Sequence, residues 1–307
     1  NAFNELQVRE LPMEGRNVVG LLSLQPGVTY IGDATDSRNG AVNGGRSDQA
    51  NVTLDNVDVN DQQGGSAFTS VLRAPHVSVQ EFRVTTAGLN TDQGRSSGAQ
   101  ISLMTKQGTN EFHGSAYEYH LNTVTTANEY FLKKSQLSQG LPNKQPKLLR
   151  NVFGASLGGP IIKDRLFRFG NFEGRRDAKE SSVSRTVPSM DLRNGIVKYK
   201  NTAGGVPTLS PDDVKRFDPA GIGVSQAALA VFKQFPAPND TGIGDGLNLV
   251  GYRFAAPTPF QYSDYVARID YNITTDARHV VYFRGSLQND KGSSAPQFPG
   301  QPPRTVD

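Results

Sequence analysis

EFRVTTAGLNTDQGRSSGAQISLMTKQGTNEFHGSAYEY, residues 81–119, carries two kinds of β-structure on either side of a boundary. EFRVTT and AQISLMTK are short runs rich in β-branched and apolar residues, and the stretch from Gly88 to Gly98 between them has the Gly, Ser and Asn content of turns. Past Asn110 the rhythm changes to FHGSAYEYHL, a longer alternating segment with aromatic residues. The reading is an α+β domain over residues 1–110, followed by a different β-architecture over 111–307.

Upstream of this stretch the pattern is mixed. Val18, Leu21, Leu22 and Leu24 make a short apolar face that Pro26-Gly27 stops, which predicts one short helix. NVTLDNVDV at 51–59 places Val52, Leu54, Val57 and Val59 around Asp55-Asn56, the pattern of two short strands about a tight turn. Residues 32–49 and 60–70 read as long polar loops.

Downstream, segments of roughly ten residues alternate over their whole length, as transmembrane β-strands do. They fall at 112–121, 151–160, 164–173, 263–273 and 278–288. In the fourth, Tyr265, Ala267, Ile269, Tyr271 and Ile273 share one face, and Asp264, Val266, Arg268, Asp270 and Asn272 the other. The charges Arg168, Arg268, Asp270 and Arg284 are expected on a polar face, opposite Phe167, Phe169, Ile269, Val281 and Phe283. A soluble half-buried antiparallel sheet shows the same alternation. The connections separate the two: IIKD at 161–164 and TTDA at 274–277 are tight, whereas 122–150 and 174–262 are long, and short turns at one end with long loops at the other mark an outer-membrane barrel. The long stretch 174–262 holds one helix candidate, SQAALAVFKQF at 225–235, with Ser225 as N-cap and Pro236 closing it.

Composition narrows the function classes. The 307 residues contain no cysteine and no tryptophan, which removes disulfides and thiolate metal sites. Of the four histidines, His76, His113, His120 and His279, none pairs at helical ligand spacing, so a surface or interface role is expected. A net charge of +3 spread along the chain is no nucleic-acid stripe. GGRSDQ and GLNTDQGRSSG lack the spacing of phosphate-binding loops, and there is no GxSxG elbow. No enzyme and no cofactor are expected. The chain opens without Met or an apolar leader and reads as a fragment of something longer.

LPMEGRNVVGLLSLQPGV (11–28), GGRSDQANVTLDNVDVND (44–61), residues 77–119, and NVFGASLGGPIIKDRLFRFGNFEGRR (151–176) together resemble the plug domain and first barrel strands of TonB-dependent outer-membrane transporters, in particular the Oar-like branch. The resemblance covers most of 11–176 and returns at 262–290. It implies residues 1–110 as a plug and 111–307 as the opening part of a large barrel with a long extracellular loop at 174–262. It also implies a TonB-type energy-coupling protein, an extracellular solute and outer-membrane lipid as partners. The TonB-contacting box and signal peptide of the family are not within this chain, nor is the β-sandwich often found before the plug in this branch. About five strands are present, and five strands alone leave two unpaired edges. For solute binding the resemblance points to the outward apices of the plug, Asp61, Gln62, Gln63, Phe68, Asn90, Asp92, Gln93 and Arg95. For locking the plug to the wall it points to Arg46 and Asp48, with Asn51 beside them. The competing class is a secreted or surface-attached adhesin-like binding protein, although no repeat of fixed period supports it.

Overall fold

A computed structural model describes residues 2–4, 7–8, 18, 21, 24–30, 40–46, 49–60, 72–85 and 99–306. They fall into two compact units. One comprises Asn1–Glu118, Val152–Gly174 and Tyr262–Asn289, the other Tyr119–Asn151, Arg175–Gln261 and Asp290–Asp307.

The N-terminal part of the first unit contains β1 (Ala2–Asn4), β2 (Val28–Tyr30), β3 (Gly40–Val42), β4 (Gly45–Arg46), β5 (Asn51–Leu54), β6 (Val57–Asp58), β7 (Val79–Thr85) and β8 (Gln100–Thr105). Five of these form a mixed sheet in the order β1-β7-β8-β5-β6, in which β5 and β8 run parallel. The two-residue period puts Val52 and Leu54, Phe82 and Val84, and Ile101 and Leu103 on the buried side. There they join Val8, Val18, Leu21, Val42, Ala50, Val59, Ala74 and Ala99 in one core. Burying a side chain such as Phe82 stabilises by about 1.5–3 kcal/mol. The β5–β6 turn forms where the sequence places it: Asp55 and Asn56 both have positive φ, 50° and 68°, the twist that suits a two-residue hairpin and that Asp and Asn tolerate best after glycine. Asn60 clamps the hairpin, accepting from Val52 N–H at 2.6 Å and donating to Ala50 O at 3.0 Å.

One expectation changes in this region, and another lies largely outside the described residues. The polar stretch 32–49 is not all loop, because β3 and β4 form a hairpin within it and β2 pairs with β3. Of the helix expected over 18–24, only Val18, Leu21 and Leu24 lie within the described residues; Val18 and Leu21 are buried and Leu24 is exposed.

The C-terminal strands are β9 (His113–Asn122), β10 (Leu148–Ile162), β11 (Leu166–Pro188), β12 (Val197–Lys198), β13 (Thr208–Leu209), β14 (Asp240–Gly244), β15 (Leu249–Pro257), β16 (Phe260–Asn272), β17 (Val280–Ser294) and β18 (Arg304–Val306). Eight of them make one sheet: β14-β15-β11-β16-β17-β18 in order, with β10 pairing β11 and β9. All five alternating segments are strands. The third is far longer than the sequence suggests, because β11 continues through 174–188. The polar run Arg175–Ser182 offers no apolar face, yet β15 supplies a ladder partner along Glu180–Pro188, and that pairing overrides the local pattern. Strands β15 and β16 meet β11 in one register: Glu180 faces Pro257, Thr258 N–H donates to Lys179 O at 2.9 Å, and Asn272 N–H donates to Arg165 O at 2.8 Å. Pro259, with no N–H to give, marks the break between them. The β10–β11 connection, 163–165, is tight, with Asp164 at φ 64° and its N–H held by Asn110 Oδ1 at 2.8 Å.

Within the first unit the strands have two different faces. On β16, Asp264, Val266, Arg268 and Asp270 are buried while Tyr265, Ile269 and Tyr271 are 48, 44 and 39% exposed. On β17, Val281, Phe283 and Leu287 are exposed and Arg284 turns inward. On β10, Leu157 and Ile161 are exposed, and Val152 is buried. The face assignment read from the sequence is reversed on β11. There Phe169, Asn171 and Glu173 are buried and Arg168 is exposed. Arg168 is only the third residue of its strand, next to the 163–165 turn, where even on the outer face of a membrane barrel a charge costs little.

In the second unit the span between β11 and β15 is folded. It holds α2 (Met190–Arg193), α3 (Pro211–Phe217) and α4 (Gln226–Gln234), in addition to α1 (Tyr130–Ser138) between β9 and β10. Ser225 caps α4 by accepting from Ala228 N–H, as its sequence predicts. Ser210 and Asp213 form a reciprocal capping box on α3. Asp218 accepts from the N–H groups of Gly223, Ala220 and Ile222, which holds its carboxyl below the usual carboxylate range. The stretch 174–262 is therefore not one long loop, and only 189–248 connects the long strands.

The exposed apolar face makes a direct prediction. Ile269→Arg in the full-length protein, expressed in a Gram-negative host, sets a charge on that face at a cost of about 2–4 kcal/mol if the residue lies near the bilayer midplane. It is expected to reduce the heat-modifiable, membrane-assembled fraction, whereas Ile269→Leu is expected to assemble normally. Normal assembly of the Arg variant, measured by gel mobility and membrane fractionation, would show that this face does not meet lipid.

Candidate functional site

Charged side chains on the buried face of β16 and β17 meet the N-terminal sheet in two clusters, both inside the first unit. The first is built on the Asp55-Asn56 turn. Asp55 N–H donates to Leu103 O at 2.9 Å, and its carboxylate accepts from Thr105 N–H at 2.8 Å and from Thr105 Oγ1 at 2.6 Å, so the turn is fixed against the end of β8. The same carboxylate faces the strands. Arg268 Nη1 lies 3.3 Å from Asp55 Oδ1 and donates to Thr105 O at 3.0 Å. Arg268 also spans back to Asp270, with Nη2 to Oδ1 at 2.8 Å and Nε at 3.0 Å. Arg284 Nε approaches Asp55 Oδ2 to 3.3 Å, close enough to pair charges though not aligned for a hydrogen bond. Tyr282 OH donates to Asp55 O at 2.9 Å, and its ring lies under the Arg268 guanidinium at 4.7 Å. Two carboxylates thus face two guanidiniums in a place where Asp55, Arg268 and Asp270 are all buried.

The second cluster is built on residues 73–78. Arg73 Nη1 contacts both oxygens of Asp264 at 3.1 Å, its guanidinium lies 4.0 Å above the Tyr262 ring, and its carbonyl accepts from Gln288 Nε2 at 3.0 Å. Three residues on, a single 3₁₀ turn carries His76 into the wall. Its Nδ1 is 3.8 Å from Glu173 Oε2, and its ring meets Tyr117 edge-on at 5.8 Å. Glu173 is 1% exposed, and two phenols satisfy it: Tyr117 OH to Oε2 at 2.6 Å and Tyr262 OH to Oε1 at 2.8 Å. Gly154 makes room for this arrangement, since a Cβ there would stand 2.5 Å from Tyr117 OH and 2.5 Å from Phe172 O.

These groups hold one another. The carboxylates are occupied by arginine, threonine and tyrosine, and among the described residues no three His, Asp or Glu side chains are grouped to bind a metal. The residues expected to bind solute, Asp61, Gln62, Gln63, Phe68, Asn90, Asp92, Gln93 and Arg95, lie outside the described residues, as does Asp48. Arg46 ends β4, where its backbone pairs with Ala41, and its side chain is outside the description. Asn51 works within the sheet, donating its N–H to Ala99 O at 2.8 Å. The fixing residues that sequence reasoning missed are Asp55, Arg73, His76 and Glu173. Only Asp55 left a signal, as an acidic residue in a turn opposite a strand with inward arginines. His76 is a buried contact residue, 3% exposed.

Asp55→Asn keeps the positive-φ tolerance of the turn but takes away the carboxylate that Arg268 and Arg284 share. Removing one partner of a buried ion pair typically costs about 3–5 kcal/mol. The expected result in the full-length protein is faster amide exchange in β5 and β8 with an unchanged barrel; unchanged exchange would show that the cluster carries no load.

The family model described as "Outer membrane beta barrel domain" matches residues 104–306. The TonB-dependent transporter Oar of Myxococcus xanthus is 31% identical over 162 residues, covering 51% of this chain and 14% of that protein, so the chain spans a small part of this relative's length. Two crystal structures of point mutants of the ferric enterobactin receptor PfeA from Pseudomonas aeruginosa, each in complex with enterobactin, align over 95% of this chain and 33% of the receptor with a TM-score of 0.51 at 11% identity. That likeness shows the fold, a partial antiparallel barrel. These relatives are a transporter and a receptor rather than enzymes. The chain belongs to the family of outer membrane beta barrel domains and has its place in the outer membrane.

Proposed function

We propose that the chain is the plug and opening barrel strands of an active transporter, which binds a scarce extracellular solute and imports it with energy relayed by a TonB-type protein. The observation that carries this reading is the N-terminal sheet, with its own apolar core, held through Asp55, Arg73 and His76 to the charged face of strands whose other face is apolar. A polar attachment of this kind suits a part that must move. Once water reaches both partners, an ion pair or hydrogen bond is exchanged for hydration at little net cost, whereas a continuous apolar contact is not.

In this reading residues 1–110 are the plug and the solute meets its outward apices, the segments containing Asp61–Gln63, Phe68 and Asn90–Arg95. Arg46 and Asp48 assist in locking it. The folded connection 189–248, with its capped helices, forms the extracellular side. The match to the Oar transporter supports the transport role. The solute class does not carry over from the enterobactin receptor, because 11% identity speaks for fold alone.

The test compares three strains of the native host: parent, receptor deletion and TonB deletion. Solutes lost from the medium are profiled for each. At least one solute is expected to be depleted only when both proteins are present. A solute bound at the cell surface but never depleted would replace transport with surface binding, and the absence of any solute dependent on both would overturn the import reading.

A further inference from the structure

In the first unit, an apolar furrow of about 620 Å³ crosses β10, β11, β16 and β17. Hydrogen bonds from Asn272 N–H to Arg165 O and from Ile273 N–H to His279 O set the strand register, which places Gly170, Ala267 and Gly285 side by side. These three make the floor. Phe172 and Tyr265, their ring centroids 5.0 Å apart, rise along one side with Leu287, and Leu157 stands at the end. The floor is open: a Cβ at Gly170 would meet nothing within 4 Å, and one at Gly285 only the Phe283 ring, at 3.7 Å.

The furrow lies on the exposed face of β16 and β17, the face that carries Ile269 and Phe283. Ser156, Asn171 and Ser286 also border it, but the two-residue period turns their side chains to the opposite face. There Ser156 Oγ is 2.9 Å from Ser115 Oγ, and Ser286 Oγ accepts from Arg284 Nη1 at 3.3 Å. A held water needs at least two polar partners, and the side chains on the furrow's own face offer none besides the Tyr265 hydroxyl. Left empty, the space would forfeit dispersion contacts along its lining.

In an outer-membrane barrel this face meets lipid. Gly170 is five residues from Arg165, where β11 begins, and Ala267 five from Asn272, where β16 ends. At about 3.3 Å per residue and a tilt near 40°, the furrow stands roughly 12 Å in from that end, close to the middle of an apolar band about 25 Å tall. Lipid headgroups do not reach that depth, but their chains do. A second protein has no hydrophobic advantage over lipid there, because lipid tails are as apolar as leucine.

We propose that this furrow seats an acyl chain of a membrane phospholipid, which lies on Gly170, Ala267 and Gly285 with Phe172 and Tyr265 packed along it. The proposal rests on the outer-membrane placement and not on the transport reading.

The test reconstitutes the full-length protein in phospholipid vesicles doped with a phosphatidylcholine that carries a mid-chain diazirine, and maps the labelled residues after photolysis. Labels are expected to concentrate on Phe172 and Tyr265. A lipid with no seat would label by exposure and favour Phe283, 70% exposed, over Tyr265, 48% exposed. Gly170→Leu combined with Gly285→Leu fills the furrow and keeps the face apolar. Neither glycine has a positive φ, so the barrel is expected to form, and heat-modifiable gel mobility checks that it does. Losing about ten atom contacts to the chain corresponds to about tenfold less label at Tyr265 relative to Phe283. An unchanged ratio in the folded double variant, or wild-type labelling that follows exposure, would overturn the proposal. So would a disulfide-linked dimer formed by Ala267→Cys and not by the parent in the same vesicles, since that would mark a second copy as the occupant.

Discussion

The structure depends on where the inward charges of the alternating strands find partners. A strand with one apolar face must send its polar residues to the other, and on β16 and β17 that side carries Arg268, Asp270 and Arg284. Buried without partners, they would be costly. Asp270 pairs with Arg268, and the remaining positive charge is met by a carboxylate from a different part of the chain, Asp55. The hairpin turn of a small sheet thereby becomes a structural element of the wall.

Ion pairs are not the only way to join two surfaces. A well-packed apolar contact often serves stability as well as a buried pair does. What the pairs add is register. The Asp55 carboxylate reaches Arg268, Arg284 and Thr105 together in one position of the turn, and a shift of one residue along β16 would present Ile269 or Ala267 in place of Arg268. The second cluster works likewise. Arg73 selects Asp264, and Tyr117 and Tyr262 complete the carboxylate of Glu173 from β9 and β16. Two attachments at separate points fix position and orientation, where one would allow rotation.

The second unit is stabilised in another way. Its connection between the long strands has few buried apolar residues, and its order comes from local polar devices: the Ser210–Asp213 box, the Ser225 cap, Asp218 and Asp245 gathering backbone N–H groups, and Asn248 pairing with both backbone groups of Lys198. Arg193 is buried there because the carbonyls of Pro188 and Pro236 receive its guanidinium. Short-range hydrogen bonding shapes a surface without a large core, and leaves exposed apolar residues such as Tyr130 and Ile222 on it.

Much of this was legible in the residues. Strand alternation in SDYVARIDYNI, the Asp55-Asn56 turn, the tight 161–164 connection and the Ser225 cap each rest on local geometry, which a few neighbouring residues determine. What lay beyond reach has one common cause. A two-residue period says that two faces differ, but not which of them is covered, and on β11 the neighbours bury Phe169 and expose Arg168 against expectation. The length of β11 likewise came from a partner strand further along the chain, with Glu180 facing Pro257 and Pro188 facing Leu249, and not from its own polar sequence. The sequence alone determined where the alternating strands and the tight turns lie; tertiary packing decided how far β11 runs and which charges meet. Asp55 and Arg268 are 213 positions apart, and no local pattern specifies a pairing that only the packing of the small sheet against the long strands brings within reach.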